Sequence, residues 1–279
     1  MTASTALSAA DLRSRAPRIR ADALRMIAGA RSGHPGGSLS AVDILLALYM
    51  GVLRHDPARP DWEGRDRFIL SKGHACPALY AVLAECGYFP RELLWTFRSL
   101  GSPLQGHPEL GKLAGVEAST GSLGQGLSLG LGMMLGHRVR GIDARVHVLL
   151  GDGEINEGQV WEAALSAAHL RADRLTAIVD VNRIQLDGFT SDILELEPLA
   201  DKWKAFGWEV FDLDGHNLDA LLRAFADARG VEGRPQVILA RTTKGKGVSF
   251  MEDNPEFHGA PPTAEELERA LQELGVTHA

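Results

Sequence analysis

Gly151-Asp152-Gly153 and, about thirty residues later, Asn182 put one carboxylate and one amide oxygen just beyond two apolar runs. Residues 145–150 and 175–181 read as short buried strands by their Val, Ile and Leu content. Asp152 and Asn182 then emerge from two strand ends, the edge of an open α/β sheet where ligands bind. One anionic and one neutral oxygen can hold a small hard cation, whose open positions phosphate oxygens fill. The chemistry this suggests is a Mg2+–diphosphate clamp. Gly-Asp-Gly alone also makes an ordinary turn. What favours the clamp is the second strand end, together with a helix beginning near Glu157 whose dipole favours an anion at its start.

Four histidines sit in loops rich in glycine or proline: His34, His74, His107 and His258. Any one of them alone is an ordinary loop histidine. Together, on the loop ends of an α/β sheet, they could donate to phosphate oxygens or move protons near neutral pH. Gly121-Ser122-Leu123-Gly124-Gln125-Gly126 opens a small-residue segment and could present bare amides to an anion or a polar ring. Its spacing is not the dinucleotide fingerprint, and helix packing explains its glycines equally well. Glu154 is expected to be solvated, whereas Glu157 has an electrostatic reason to sit at a helix start. Lys244-Gly245-Lys246-Gly247 reads as a solvated basic turn that could alternatively meet phosphate.

The elements that must position these residues alternate. A frayed leader is expected over residues 1–10, an amphipathic helix over 11–30 and a loop over 31–38. Ser40 is expected to cap the next helix, with Asp43 three residues on. A strand at 67–70 runs into Ser71-Lys72-Gly73-His74, and Pro77 suits the first turn of a helix. Residues 101–122 read as a long functional loop, and 124–136 as a helix whose glycines allow close packing. The strands at 145–150 and 175–181 flank a helix over 157–170. Further strands at 209–213 and 236–240 flank a helix over 218–229. This alternation predicts a doubly wound α/β domain, mostly parallel with helices on both faces, spanning residues 11–279 with a C-terminal extension.

With 279 residues, 45% hydrophobic and 23% charged, the chain can bury a core. The net charge of −7 argues against nucleic acid or an acidic membrane as partner. The apolar stretch at 44–53 is about half of a bilayer span, so no transmembrane helix is expected. Two cysteines suit neither a zinc site nor a disulfide framework. A cytoplasmic location is the expectation, since no secretory signal stands at the N-terminus.

Taken in order, Ser32-Gly33-His34-Pro35-Gly36, Ser71-Lys72-Gly73-His74, Gly106-His107-Pro108, Gly121 to Gly126, Gly151-Asp152-Gly153, Asp180-Val181-Asn182 and His258-Gly259 resemble the N-terminal half of transketolase. The resemblance implies thiamine diphosphate as cofactor. Asp152, Asn182 and the carbonyl of Ile184 would bind the Mg2+ or another divalent ion. It further implies that His74, Gly153 and His258 meet the diphosphate, and that Gly121 and Leu123 lie beside the rings. His34, His107 and His258 would line the substrate channel and assist proton transfer, with Glu157 near a subunit interface. The family's pyrimidine domain, with its activating glutamate and the sugar-phosphate grip, has no counterpart here. The resemblance therefore implies the N-terminal subunit of a split transketolase, inactive alone and paired with a C-terminal, pyrimidine-domain subunit in an α2β2 assembly. Its reaction would be two-carbon ketol transfer from a ketose phosphate to an aldose. Two alternatives stand beside it: a 2-oxoacid dehydrogenase-type or carrier-protein-loading subunit with the same cofactor, and a noncatalytic cofactor-binding subunit.

Overall fold

The computed structural model describes residues 7–276. Among these, five parallel strands form one sheet in the order β1-β2-β3-β7-β6: β1 (Arg67–Leu70), β2 (Val146–Gly151), β3 (Leu175–Val181), β6 (Glu209–Asp214) and β7 (Gln236–Arg241). A two-stranded antiparallel hairpin, β4 (Ile184–Gln185) with β5 (Gly188–Phe189), follows β3. The predicted strands match to within a residue at each end.

Strand side chains alternate between faces, and each face owns its own core. Phe68 and Leu70 of β1, Leu149 of β2, Ile178 of β3 and Ile238 of β7 pack on one side. They meet helices α1 (Ala9–Ala30), α2 (Pro35–Ala47), α3 (Cys76–Glu85) and α8 (Leu218–Arg229). Val146, Val148 and Leu150, with Ala177, Val179, Val237 and Leu239, pack on the other. There they meet α4 (Gly126–Val139), α5 (Gly158–His169) and α7 (Leu199–Ala205). Strands buried on both faces read as unbroken apolar runs, which is the sequence signal of a covered parallel sheet. A short helix, α6 (Thr190–Ile193), follows the hairpin. A last helix, α9 (Ala264–Glu273), closes the C-terminal part on α1 and begins with a Thr263–Glu266 capping box.

Three expectations need correction. The leader is helical from Ala9, because Ser8 accepts from the Asp11 amide while Asp11 bonds back in a capping box; its first six residues lie outside the described residues. Helix α2 starts at Pro35 rather than after Ser40, since proline at the first helical position carries its fixed φ and lacks a donor the helix would not use. Ser40 is therefore no cap: it lies within that helix and turns its hydroxyl to Asp180. The segment Pro35–Val52 also has the length and apolarity of a membrane span, but 83% of it is buried inside the protein. Its continuation at Leu48–Val52 is a π-turn.

Candidate active site

The carboxyl end of the sheet gathers the loops after β1, β2, β3 and β7. Gly151 and Asp180 pair in register, so Asp152 and Asn182, each just beyond its strand, come out side by side. Asp152 accepts from the backbone amides of Gly153 and Arg183. The Asn182 side-chain oxygen accepts from the Ile184 amide at 3.1 Å, and its NH2 faces Asp180 at 3.4 Å. Both side chains are buried. Burial, and then the neighbouring Asp180 carboxylate, push Asp152 up to about 6; a cation at its oxygens would reverse that. The Ile184 carbonyl already meets positive charge, accepting from the Lys244 ammonium at 3.1 Å. Among the described residues no three His, Cys, Asp or Glu side chains group as a metal cage. The donor set is therefore one carboxylate, one amide and one carbonyl, all oxygen, which fits a small hard cation that takes its remaining ligands from a diphosphate.

Lys244 lies 2% exposed, not on the solvated turn that its sequence suggests. The reason is topological. It follows β7, which runs between β3 and β6, so its loop opens onto the site rather than onto an edge. Its stem is covered by Gly36, where a Cβ would sit 3.0 Å from the Lys244 Cγ. Burial, and then Lys72, lower its ammonium to about 8. Glu154 is likewise buried rather than solvated. It accepts from Ser71 Oγ and from the amides of Gly124 and Gly151, and so ties three loops of the site together.

Three of the four predicted histidines form a triangle. The ring centroids of His34 and His74 lie 5.1 Å apart, those of His34 and His258 5.4 Å, and those of His74 and His258 5.6 Å. Burial lowers His34 and His258 to about 4, helped at His34 by Arg98 and at His258 by Lys244. His74 is held well below its usual range by burial and then Lys72. All three are thus neutral near pH 7, each with a proton to give and a lone pair to receive one. Lys244 donates to His258 Nδ1 at 2.8 Å, which leaves the imidazole proton on Nε2. His34 Nδ1 and Thr120 Oγ1 are buried without a partner, polar atoms that a ligand could satisfy.

His107 stands outside the triangle on the exposed face of the long loop. Its ring covers Gly121, where a Cβ would come 3.1 Å from it. Gly121, with φ 148°, in turn packs its amide against Gly73 beside His74. The glycines of 121–126 therefore serve close loop-on-loop packing, Gly126 against Ser71 among them. Leu123 is half-buried on the same loop, and Gly153 lies against the Gln185 side chain. Glu157 is exposed at the start of α5, its side chain beside Gly124. Sequence reasoning missed Lys72, Asp180, Thr242 and Ser40, which join in one buried network beneath the cation seat. No periodicity marks a buried lysine; only its place just past the end of β1, in Ser71-Lys72, could have suggested it.

Comparison with known proteins decides the family. The model for the transketolase thiamine diphosphate-binding domain matches residues 13–279. The chain belongs to the transketolase family. It is the N-terminal, thiamine diphosphate-binding kind of transketolase subunit. The 6-deoxy-6-sulfo-D-fructose transketolase subunit of Clostridium sp. (strain MSTE9) is 46% identical over 264 residues, covering 95% of this chain and 96% of that one. An apulose-4-phosphate transketolase subunit from Phocaeicola vulgatus is 41% identical over 245 residues, covering 88% and 87%. Human transketolase is 38% identical, but the match covers only 42% of its length. Among solved structures, transketolase of Campylobacter jejuni superposes with a TM-score of 0.91 at 33% identity, over 97% of this chain and 43% of that one. The transketolase of Leishmania mexicana gives 0.89, also at 33% identity, over 95% and 41%.

Proposed function

We propose that this chain is the diphosphate-holding half of a two-component transketolase, completed by a pyrimidine-domain subunit in an α2β2 assembly. The observation that carries the cation seat is the pairing of buried Asp152 and Asn182 at adjacent strand ends, beside a carbonyl of Ile184 that already faces positive charge. In this reading Asp152, Asn182 and the Ile184 carbonyl would hold Mg2+, and His74, Gly153 and His258 would meet the diphosphate. Gly121 and Leu123 would lie beside the rings, and Glu157 would face a subunit interface. Bound there, thiamine diphosphate supplies the carbanion chemistry of ketol transfer. The protein's part is to seat the anion, exclude water and handle protons at the sugar. His34 and His258, neutral and 5.4 Å apart, receive and return the proton of a donor hydroxyl. His107 lines the approach from the exposed side. Arg98, whose guanidinium lies over Gly106, adds positive charge beside His34 and His107.

The donor is a ketose with an acidic end and the acceptor an aldose. Two relatives named for 6-deoxy-6-sulfo-D-fructose and apulose 4-phosphate support such a sugar. A cytoplasmic setting accords with two cysteines that are both free. Coexpression with a pyrimidine-domain subunit provides the test. Ketol transfer from xylulose 5-phosphate should appear only when both polypeptides are present. It should vanish, along with calorimetric uptake of thiamine diphosphate and Mg2+, in the Asp152→Ala, Asn182→Ala double variant. Undiminished uptake in that variant would sink the assignment.

A further inference from the structure

Beneath the cation seat, Asp180 is wholly buried and accepts from four side chains that belong to four different segments. Ser40 of α2 donates to Oδ2 at 2.6 Å, and Lys72, two residues before His74, donates to the same oxygen. The Asn182 amide approaches it at 3.4 Å, and Thr242, two residues before Lys244, donates to Oδ1. Lys72 has one further partner, the Gly37 carbonyl at 2.9 Å. A single carboxylate thus holds together the segments that bear His34, His74, Asn182 and Lys244. By taking the NH2 end of Asn182, it also fixes which end of that amide is left to face a cation.

Charge gives this arrangement a second role. Five buried ionisable side chains lie at or beside the seat: Asp152, Glu154, Asp180, Lys72 and Lys244. Three carboxylates stand against two ammoniums, Asp180 being the one bonded directly to Lys72, and buried charges are screened little by solvent. Glu154 lies nearby but is satisfied by three donors of its own.

We propose that Asp180 is a positioning residue that sets the charge balance of the seat, cancelling Lys72 so that the site accepts a divalent cation and a diphosphate together. This rests on the assignment of Asp152 and Asn182 as cation ligands. Asp180→Asn keeps the shape and removes the one carboxylate that Lys72 bonds directly, leaving that ammonium only the Gly37 carbonyl as a hydrogen-bond partner. A divalent cation should then bind more weakly and a bare polyanion at least as well as before. A residue that merely supported the fold would weaken both.

The measurement is calorimetric titration of the full chain, alone and in complex with its pyrimidine-domain subunit. One arm uses Mn2+ in the presence of thiamine diphosphate, the other inorganic diphosphate without metal. Asp180→Asn should lower Mn2+ affinity by about ten- to a hundredfold while diphosphate affinity holds or rises. Lys72→Met, should the first variant fold poorly, must shift the two affinities in the opposite senses. The double variant Asp180→Asn, Lys72→Met should bring Mn2+ back to within about threefold of the parent, about 0.65 kcal/mol. Affinities that fall together in Asp180→Asn, or a Mn2+ affinity that does not change, overturn the proposal. Asp152→Ala separates the two levels. If Asp152→Ala loses Mn2+ and Asp180→Asn does not, only this inference fails. If Asp152→Ala keeps Mn2+, the seat is misplaced and this inference falls with it.

Discussion

The two ends of the parallel sheet each bury an aspartate, and they treat it differently. At the amino end, Asp66 accepts from the amides of Arg54 and Arg145, both at 2.9 Å, and lies 3.5 Å from the Arg229 guanidinium. It joins the turn before β1 to the turn before β2 and to the end of α8, and each of its donors belongs to the chain itself. At the carboxyl end, Asp152 is as deeply buried and accepts from two backbone amides but from no guanidinium, and burial and then Asp180 push it upward. In the loops around His74, His34 Nδ1 and Thr120 Oγ1 have no partner. One carboxylate is fully compensated by the fold. The other is held in a form that costs the fold something until a ligand arrives, the condition in which binding sites differ from structural networks.

The largest contrast should come from conservative amides at the two positions. Asp152→Asn should reduce cofactor and metal uptake by at least about a hundredfold while leaving the urea midpoint unchanged or slightly higher, since it removes an ill-compensated buried charge. Asp66→Asn should cost about 2–3 kcal/mol of stability and leave binding by the folded protein intact. A variant at Asp152 that melts early, or one at Asp66 that binds poorly, would dissolve the distinction. Next in size, His258→Ala should lower kcat of the reconstituted enzyme by about a hundredfold or more, with folding little affected. Steady-state kinetics beside a thermal melt checks both halves of that statement.

Acid should probe the amino end. His147 is buried on β2 against Phe225, and burial lowers it to about 4, with Asp66 nearby opposing the shift. The unfolded chain takes up that proton near pH 6.5 but the folded chain only near 4. The stability this histidine contributes is therefore full above about 6.5 and is lost as pH falls toward 4, by roughly 3 kcal/mol in all. His147→Leu should flatten the decline in urea midpoint between about pH 6.5 and 4. An unaltered slope would show that other groups carry it.

The smallest effects concern two glycines of α4. A Cβ at Gly126 would collide with the Ser71 hydroxyl, whereas at Gly132 it would meet nothing within 4 Å. Gly126→Ala should cost about 1–3 kcal/mol and loosen the cofactor loop, and Gly132→Ala should stabilise by up to about 1 kcal/mol. Paired melts suffice, and equal outcomes would mean that the loop contact at the carboxyl end is not tight.

Strand positions could be read from sequence because β2, β3 and β7 are covered on both faces and so carry long apolar runs. The residues at their ends followed from the same reading: Asp152 and Asn182 stand where the apolar runs stop. The start of α2 could not be read correctly, because Gly36 and Gly37 have the composition of a loop. They are glycines inside a helix because Lys244, His74 and Lys72 occupy the space their Cβ atoms would take, a fact of packing between segments far apart in the chain. The buried lysines escaped notice for a related reason. Lys72 and Lys244 are compensated by partners such as Asp180 and Ile184 that lie far off in the chain, and nothing local distinguishes them from solvated ones.

That remoteness has a bearing on how the chain matures. Asp180 meets Ser40 across 140 positions, Lys72 across 108 and Thr242 across 62. Loops closed over such spans are costly to bring together early. Thr242 and Lys244 follow the last strand made, and that strand slots between two earlier ones. A nascent polypeptide that has not yet released β7 from the ribosome would lack both, so cofactor loading must wait until that strand has emerged and taken its place in the sheet.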